Sequence, residues 1–484
     1  MAKPSVVEFW IESDGARWDH LRVRKLRGRE AIGQLFSFEL EAACDLEHDL
    51  PSDAKIGQEV SVVFEVDGAE VRRVHGVLSE LRAHLGAADR ATIDLVVVPR
   101  ATRLGLVATQ EIFLGQSVPD ILAVKLQRQG FDATDYELRL LGKYAAREFV
   151  MQIGETDLAF MSRLVEHEGI SFFFEHDDAK DRIVFTDHPA GFRALTSPAE
   201  LPFHPAGETG GVFAVDRLEA IAPTSHIVQD YNYRTPLVEL SACSDVPGGN
   251  GGGVVEYGGH PSTPAEAEQL ALVRAEERRS RQLVYQGKTG TLTLSAGAKL
   301  TVTDVPTVSS PSTWLLVEVT HDAHAPLFGE IAPGDAHYEN TFRAVPEGFT
   351  YRPPRVTPRP RVTGVVTGVV QPGPDGEVGG VAQIDADGRY IVALHLDTAE
   401  LGAQKSSHPM RMAQPFAGPS YGMHFPLRRG TEVLVAFANG DPDRPLILGA
   451  LYNAASPNPV VAAGASKHQL RGSTGAMFEF VTKT

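Results

Sequence analysis

Cysteine is almost absent from this sequence: its 484 residues include two, Cys44 and Cys243. Two cysteines so far apart cannot build a disulfide framework or a cysteine-based zinc site within one chain, and such usage is typical of a protein made in a reducing cytosol. Long apolar runs are also absent, since no stretch approaches the ~20 apolar residues of a membrane-spanning helix. The first residues lack an apolar signal region. We therefore expect cytoplasmic synthesis without a Sec-type signal peptide, and export only through a dedicated machine.

Positive charge is scarce relative to negative charge, with 45 Lys and Arg against 62 Asp and Glu and a formal net charge of −17. A surface of that sign repels phosphate backbones, so we expect no nucleic-acid partner. The hydrophobic fraction of 43% is ordinary for globular proteins. At ~100–200 residues per domain, the length predicts about two to four domains in series.

Short β-branched runs separated by turn residues predict a mainly β protein with a few helices, in the α+β class. The clearest hairpin turns at Asp67-Gly68, a dipeptide that tolerates the positive φ of a tight turn. Residues 316–324 are similar in texture to residues 77–84. This similarity hints at a duplicated barrel.

Three segments carry helix-capping signals. Residues 117–130 and 157–169 each begin with a capping residue and end at glycine, and the second is followed by a predicted strand at 170–174. Residues 263–281 open with a Thr-Pro-Ala-Glu capping box. The sparse apolar stripe of this third segment predicts a helix that lies on a surface.

Two segments have the composition of boundaries. Residues 247–253 are so glycine-rich that they predict a long flexible loop without regular structure. Residues 351–360 are proline-rich and predict a semi-rigid extended linker. After this linker, about five short strands within about 100 residues favour an OB-like barrel.

A long unbroken motif covers residues 411–453, with Ala-Gln-Pro, Gly-x-x-x-Gly, Pro-x-Arg-x-Gly-x-Glu-Val and Gly-Asp-Pro-Asp-Arg-Pro elements. Together with residues 144–174 and 385–397, it resembles the VgrG family of type VI secretion spike proteins, which is similar to the phage T4 tail hub fused to the spike-base OB domain. The matching OB signature residues are Gln414, Pro415, Gly418, Gly422, Gly430 and Glu432. The matching turn consists of Gly440, Asp441, Pro442, Asp443, Arg444 and Pro445.

The resemblance implies a two-barrel tail-hub region, an OB-fold domain and the start of a trimeric β-helix needle. The expected regions are 1–115 (first hub barrel), 116–225 (helix and strand region), 226–350 (second hub barrel with the glycine-rich loop), 351–360 (linker), 361–460 (OB fold) and 461–484 (neck and start of the needle). The sequence departs from the family pattern where the intertwined needle repeats are expected to begin.

For function, the resemblance implies a structural spike hub without catalytic residues, cofactor or metal. It implies a homotrimer that caps an Hcp-like hexameric tube, meets baseplate subunits and carries a PAAR-type tip and effectors out through the injection machine into target cells. Two alternatives stay open: the tail hub of a phage or an extracellular contractile particle, and a secreted hydrolase with an OB-type binding module.

Candidate chemical groups have structural interpretations. In the turn 440–445, prolines fix φ, aspartates accept backbone N–H bonds, and Arg444 can pair with either carboxylate. His321 and His324 have the spacing of an H-x-x-H metal motif, but we expect a loop there, because no cysteine is near.

Two further groups have the residue types of a catalytic or ligand site. Glu166 and Glu168 face apart on the second predicted helix, which favours solvation over acid/base pairing. The aromatic run 172–174 could line a ligand pocket, but alternation along a strand favours core on one face and an interface on the other.

Overall fold

The computed structural model describes residues 7–45, 55–84, 90–176, 180–195, 197–205, 210–306, 308, 311–325, 337–371, 380, 382, 384–398 and 407–482. The chain divides into two units. The hub unit comprises Met1–Val107, Val118–Tyr144 and Thr156–Pro358, and the OB unit comprises Ala108–Ser117, Ala145–Glu155 and Arg359–Thr484.

Strands dominate the described residues. The first hundred residues contain β1 (Val7–Ser13), β2 (Ala16–Arg17), β3 (Leu21–Ala31), β4 (Ser37–Asp45), β5 (Glu59–Val66), β6 (Ala69–His84) and β7 (Arg90–Val98). The middle of the chain contains β8 (Ala108–Phe113), β9 (Tyr136–Arg139), β10 (Val150–Thr156), β11 (Ser171–His176), β12 (Asp181–Thr186), β13 (Glu200–Pro202), β14 (Val212–Glu219), β15 (Ser225–Asp230), β16 (Leu240–Asp245), β17 (Gly253–Tyr257), β18 (Leu283–Thr289), β19 (Lys299–Thr303), β20 (Ser312–His324) and β21 (His337–Pro346). The remainder contains β22 (Val366–Val370), β23 (Tyr390–Leu394), β24 (Ser407–Met410), β25 (Ala417–Gly418), β26 (Tyr421–Gly422), β27 (Glu432–Phe437), β28 (Pro445–Leu451), β29 (Lys467–Arg471) and β30 (Met477–Val481).

The α-helices of the described residues are α1 (Val118–Arg128), α2 (Asp157–Glu168) and α3 (Pro264–Arg279). Thr156 caps α2 through the Ala159 N–H (3.2 Å), and Gly169 ends it in the left-handed conformation with φ of +71°. Both helices predicted at 117–130 and 157–169 are thus confirmed. None of the helices in the described ranges has the length and apolar character required to cross a membrane.

Helix α3 differs from its prediction in length and burial. Thr263 caps it through the Glu266 N–H (3.2 Å), but the helix ends at Arg279 and a strand begins at Leu283. Seven of its 16 residues are buried, including Arg274. The helix packs on β15 and β16 through the face that carries Leu270 and Val273 of the predicted stripe, and five residues of its other face are exposed. It therefore lies on a surface as predicted, although its buried face is wider than the stripe.

The glycine-rich segment 247–253 is held by hydrogen bonds to its neighbours. The backbone of Asn250 donates to the Ala222 carbonyl (2.9 Å), and its side-chain oxygen accepts from the Ala222 N–H (3.1 Å). Gly253 already belongs to β17. The predicted loop is confirmed for residues 247–252, which form neither helix nor strand, and partners about 30 residues away in sequence satisfy part of its backbone.

Two six-stranded barrels form the main body of the hub unit. The first has the strand order β3-β4-β7-β6-β5-β1, with β1 in contact with β3. The second has the order β14-β18-β21-β20-β19-β13, closed by a bridge between Phe203 and Val212. When the six strands of each barrel are numbered along the chain, both barrels have the same strand order, 2-3-6-5-4-1. The duplicated barrel suggested by residues 77–84 and 316–324 is present, and those residues lie in the matching strands β6 and β20.

The two barrels share one continuous 13-stranded sheet, because β20 of the second pairs with β3 of the first. This antiparallel junction joins residues 318–324 to residues 25–31. Backbone hydrogen bonding across the junction makes the two barrels one structural body.

The OB unit has a five-stranded antiparallel sheet of order β24-β23-β22-β27-β28. Alternate side chains of its strands point to the same face of the sheet, where they form a common core. The core side chains include Ile112, Met151, Val370, Tyr390, Val392, Leu394, Val433, Val435 and Ile447. Ile112 and Met151 come from β8 and β10, so two middle segments of the chain complete the core of the C-terminal unit.

Candidate functional site

The turn 440–445 closes the OB unit through a buried carboxylate. Asp443, 1% exposed in its side chain, accepts from the Met151 N–H (2.8 Å) and from Arg359 (2.7 Å). Arg359 also pairs with Asp441 (2.9 Å). Gly440 has φ of +72°, which favours glycine at this position.

The other residues of the turn have smaller roles. The Arg444 Nε lies 3.8 Å from Asp441, farther than the guanidinium of Arg359, which is supplied from the end of the linker. Pro442 is buried, and Pro445 begins β28. The sequence analysis named both aspartates but missed Arg359, which is 82 positions before Asp441 and carries no local signal.

Replacing Asp443 by alanine is expected to destabilise the OB unit by about 2–3 kcal/mol, because the Met151 N–H and the Arg359 guanidinium lose a charged acceptor inside the protein. Urea titration of the full chain, followed by circular dichroism, measures the change. Asp387→Ala, at a carboxylate that is 57% exposed, is the matched control and should shift the unfolding free energy by less than about 1 kcal/mol. Equal effects of the two substitutions would contradict the anchoring role of Asp443.

Four OB signature residues lie in or before an exposed hairpin. Gly418 in β25 has no room for a side chain, because the Tyr421 ring of β26 covers it. A Cβ at Gly422 would lie 2.7 Å from the Phe416 carbonyl oxygen. The two glycines of the Gly-x-x-x-Gly element therefore allow a tight hairpin beneath an aromatic pair whose ring centroids are 5.3 Å apart.

The remaining signature residues frame this hairpin. Gln414 and Pro415 precede it, and Gly430 follows it with φ of +81°. The Glu432 carboxylate accepts from the Asn453 amide (2.8 Å). The structure thus places the six signature residues along one stretch of the OB unit, without assembling them into a single cluster.

Large apolar side chains are exposed on two hairpins of the OB unit. The β25–β26 hairpin exposes Phe416 (60%), Tyr421 (58%), Met423 (47%) and Phe425 (59%). The β29–β30 hairpin exposes Leu470, Met477, Phe478, Phe480 and Val481, each by more than half. We name these two sets the apolar hairpins. Groups of exposed apolar side chains mark interaction sites.

A buried ionic cluster lies where the two barrels of the hub unit meet. Arg72 of β6 pairs with Glu30 of β3 and donates to the Leu294 carbonyl (2.7 Å), which precedes β19 of the second barrel. Burial would raise the pKa of Glu30, but the guanidinium and the His321 N–H outweigh it and lower the pKa to about 2. The cluster therefore keeps an ionised carboxylate inside the protein and ties three segments together.

His321 and His324 lie in strand β20, so the predicted loop is wrong. His321 is buried; its Nε2 donates to Glu30 (2.9 Å) and its Nδ1 accepts from the Tyr338 hydroxyl (2.7 Å). Burial lowers the pKa of His321. Because alternate residues of a strand face opposite sides, the two imidazoles point apart.

The proline-rich linker is anchored on the hub unit. Glu166 of α2 is buried and accepts from the Val356 N–H (2.9 Å) and from the N–H and hydroxyl of Thr357 (2.9 and 2.6 Å). Arg352 donates to Glu276 (2.7 Å) and to two backbone carbonyls. The expected solvation of Glu166 is wrong, because the linker packs over its helix; burial raises its pKa.

The aromatic run of β11 is core on both faces. Phe172, Phe173 and Phe174 are 6%, 2% and 7% exposed. Phe173 stacks on Phe192 with ring centroids 5.3 Å apart, and Phe174 packs edge-on against Phe36 (5.1 Å). The expected interface face is therefore wrong, because segments from both barrels cover the strand.

A cleft of about 820 Å³ in the hub unit is lined by β6, β11 and residues 293–298. The charged side chains on its wall are paired, as Arg73 is with Glu70 (2.8 Å). His176 also lines the cleft, and burial lowers its pKa to about 3, so the ring is neutral at pH 7. Paired charges and a neutral imidazole stabilise the walls and do not provide an acid and a base poised near neutral pH.

Two family models match the chain. The phage tail baseplate hub (GPD) model matches residues 29–327, which contain most strands of both barrels. The model of the type VI secretion system and phage-baseplate injector OB domain matches residues 376–452. The two matches overlap most of the hub barrels and four of the five strands of the OB sheet.

Curated relatives match along most of the chain. The type VI secretion system spike protein VgrG5 of Pseudomonas aeruginosa is 32% identical over 475 residues, which are 95% of this chain and 59% of VgrG5. VgrG1c of the same species is 29% identical and is covered over 64% of its length. This chain thus spans about three fifths of the length of these relatives.

Solved structures share the fold. The E. coli c3393 protein, a type VI secretion component with structural similarity to the T4 tail proteins gp27 and gp5, gives a TM-score of 0.67 at 24% identity and covers 91% of this chain and 99% of its own. A chain of the Francisella PdpA–VgrG complex gives 0.66 at 8% identity, covering 99% of this chain and 83% of its own. From the two barrels, the OB sheet and these matches, we conclude that the chain belongs to the phage tail baseplate hub family and is similar along most of its length to the VgrG spike proteins.

Proposed function

We propose that this chain is the spike hub of a type VI secretion machine, a homotrimer that caps a hexameric tube. The observation that carries the proposal is the pair of barrels with matching topology in one chain. Three copies around an axis would place six similar barrels in a ring, and a ring of six matches a six-fold tube. The tube partner is a hexameric protein of the Hcp type.

The apolar hairpins support the trimer. Their exposed side chains include five aromatic rings, Phe416, Tyr421, Phe425, Phe478 and Phe480. Aromatic side chains contribute strongly to protein interfaces because each buries a large apolar area. Pairing with two further copies of the chain would remove these side chains from water.

The proposed hub supports a PAAR-type tip and effectors, contacts baseplate subunits, and leaves the cell through the machine rather than by a Sec-type route. The solved Francisella structure contains VgrG in complex with a second protein, PdpA, so a chain of this fold can hold a protein partner. We propose a structural role without catalysis, since the curated relatives are spike proteins and the buried ionic groups anchor backbone segments.

Light scattering tests the trimer directly. At micromolar concentration the expected mass is three times the 52.3 kDa of one chain. The trimer of the double variant Phe478→Asp/Phe480→Asp should begin to dissociate at a protein concentration at least tenfold higher than the parent trimer does. Leu106→Asp, at an exposed site of the hub unit, should leave the mass unchanged. A chain that stays monomeric and does not co-sediment with a hexameric tube protein would overturn the proposal.

A further inference from the structure

The junction between the two barrels provides a pattern for a second junction. In β20, residues 318–324 pair with residues 25–31 of β3, with Thr320 opposite Arg29. At the end of the junction, the Ile32 N–H donates to the Val317 carbonyl (2.9 Å). The Ile32 side chain is 5% exposed and packs in the core cluster that contains Ala296.

The duplication relates the two barrels residue by residue. A bulge interrupts β20 between Leu316 and Glu318, and another interrupts β6 between Leu78 and Glu80. Alignment on these bulges matches residues 318–322 of β20 with residues 80–84 of β6. The backbone supports this match, since the Leu316 N–H and the Leu78 N–H each donate to the carbonyl of the residue just before the preceding strand, Ala298 at 2.9 Å and Gln58 at 3.0 Å.

The partner strand is duplicated in the same way. A bulge interrupts β3 between Val23 and Lys25, and another interrupts β14 between Val212 and Ala214. Alignment on these bulges matches residues 25–32 with residues 214–221. The match is visible in the sequence as well, because both segments end in Glu-Ala-Ile.

The first copy of this strand, β3, is paired on both sides within the chain, with β4 and β20, whereas along residues 214–219 the second copy, β14, is paired on one side, with β18, in the described part of the chain. Among the described residues, β6 pairs with β5 only as far as Val77, and the outer edge of β14 is bridged only at Val212. Two sheet edges of the hub unit, at 79–84 and 214–219, therefore present backbone groups available for pairing.

The side chains next to these edges are unusually exposed for their type. Ile221, the counterpart of buried Ile32, is 89% exposed, and Leu218 is 48% exposed. Ile56 is 61% exposed. It lies two residues before Gln58, as Ala296 of the Ile32 cluster lies two residues before Ala298, so Ile56 is the counterpart of Ala296. Ile32 and Ala296 are thus buried together at the first junction, whereas their counterparts Ile221 and Ile56 are both exposed.

We propose that residues 79–84 of one copy pair antiparallel with residues 214–219 of the next copy, repeating the internal junction between neighbouring chains. Arg82 lies opposite Leu218, as Thr320 lies opposite Arg29. Ile221 then packs at Ile56 of the neighbour. This inference rests on the proposed trimer, in which three internal and three intermolecular junctions close one continuous ring of sheet.

The polar side chains of the two edges fit this register. His84 lies opposite Asp216, in the place that Asp322 and Arg27 occupy at the internal junction, 3.6 Å apart, and an imidazole can hydrogen-bond to a carboxylate. Charged side chains along edge strands limit uncontrolled strand pairing. The proposed occupant of each edge is therefore a second copy of this chain.

Disulfide cross-linking tests the register. In a Cys44→Ala/Cys243→Ser background, Arg82→Cys/Leu218→Cys should give a covalent trimer on mild oxidation, read on a non-reducing gel. The in-chain pair Arg29→Cys/Thr320→Cys is the matched control and should close within one chain. Arg82→Cys/Asp216→Cys, shifted by two residues, should give at least tenfold less covalent trimer.

Dilution measured by light scattering gives a second readout. Ile221→Asp should raise the trimer dissociation constant at least tenfold, and Leu237→Asp, at a 98% exposed site, should not. A trimer in which the in-chain pair closes but Arg82→Cys/Leu218→Cys does not would overturn the intermolecular junction alone. A monomeric parent chain would overturn the proposed function together with it.

Discussion

Replacing Arg72 by methionine is expected to destabilise the hub unit by about 3–5 kcal/mol, because it leaves the Glu30 carboxylate buried without its cation. The two side chains are 8% and 5% exposed, so water cannot replace the lost partner. The substitution also removes the hydrogen bond to the Leu294 carbonyl, which joins β6 to the second barrel. Urea titration followed by tryptophan fluorescence reports this unit, whose tryptophans include buried Trp314.

The next residue of the same strand provides the control. Arg73 pairs with Glu12 and Glu70 at the surface, so Arg73→Met should cost less than about 1 kcal/mol. Adding Glu30→Gln to Arg72→Met should recover part of the loss, since the buried charge is removed with its partner. If Arg72→Met and Arg73→Met destabilise equally, the cluster does not hold the barrels together.

Local signals in the sequence predict local structure well here. The C-terminal end of α2 follows from Gly169, whose capping role needs only neighbouring residues. The OB strands follow from alternation, and the VgrG resemblance follows from one unbroken motif. Each of these inferences depends on residues within a few positions of one another.

The errors concern charged and aromatic residues whose partners are distant in sequence. Glu166 was expected in water, yet it binds the backbone near Thr357, 191 positions away. Phe172 to Phe174 were expected to face an interface, yet segments of both barrels cover them. The repeated Glu-Ala-Ile at 30–32 and 219–221 was the available signal for the strand duplication. A match of three residues is too short to indicate a duplication until the bulges of β3 and β14 align the two strands.

The second large effect is a loss of stability in mild acid, expected from the buried imidazoles of His176 and His321. His176 accepts from the His75 N–H at Nδ1 (3.1 Å), and burial lowers its pKa from 6.5 to about 3, with Arg72 opposing its charge and Glu30 favouring it. Below pH 6.5 the unfolded chain binds a proton that the folded chain refuses. Stability should therefore fall as pH decreases from 6.5, by about 1.4 kcal/mol per pH unit for His176, and the lowered pKa of His321 acts in the same direction.

The loss of stability between pH 6.5 and 5 can be assigned to histidine, because the contribution of Glu30 to stability is lost at lower pH. Its folded pKa of about 2 lies below the ordinary 4.5, so its contribution is present above pH 4.5 and is lost between pH 4.5 and 2. Between pH 6.5 and 5, His176→Gln, whose amide oxygen can still accept from the His75 N–H, should reduce the slope of unfolding free energy against pH by about one proton. Urea titrations of the parent chain and of His176→Gln at pH 7, 6 and 5 measure the two slopes, and an unchanged slope in His176→Gln would show that this imidazole is not held neutral in the folded hub.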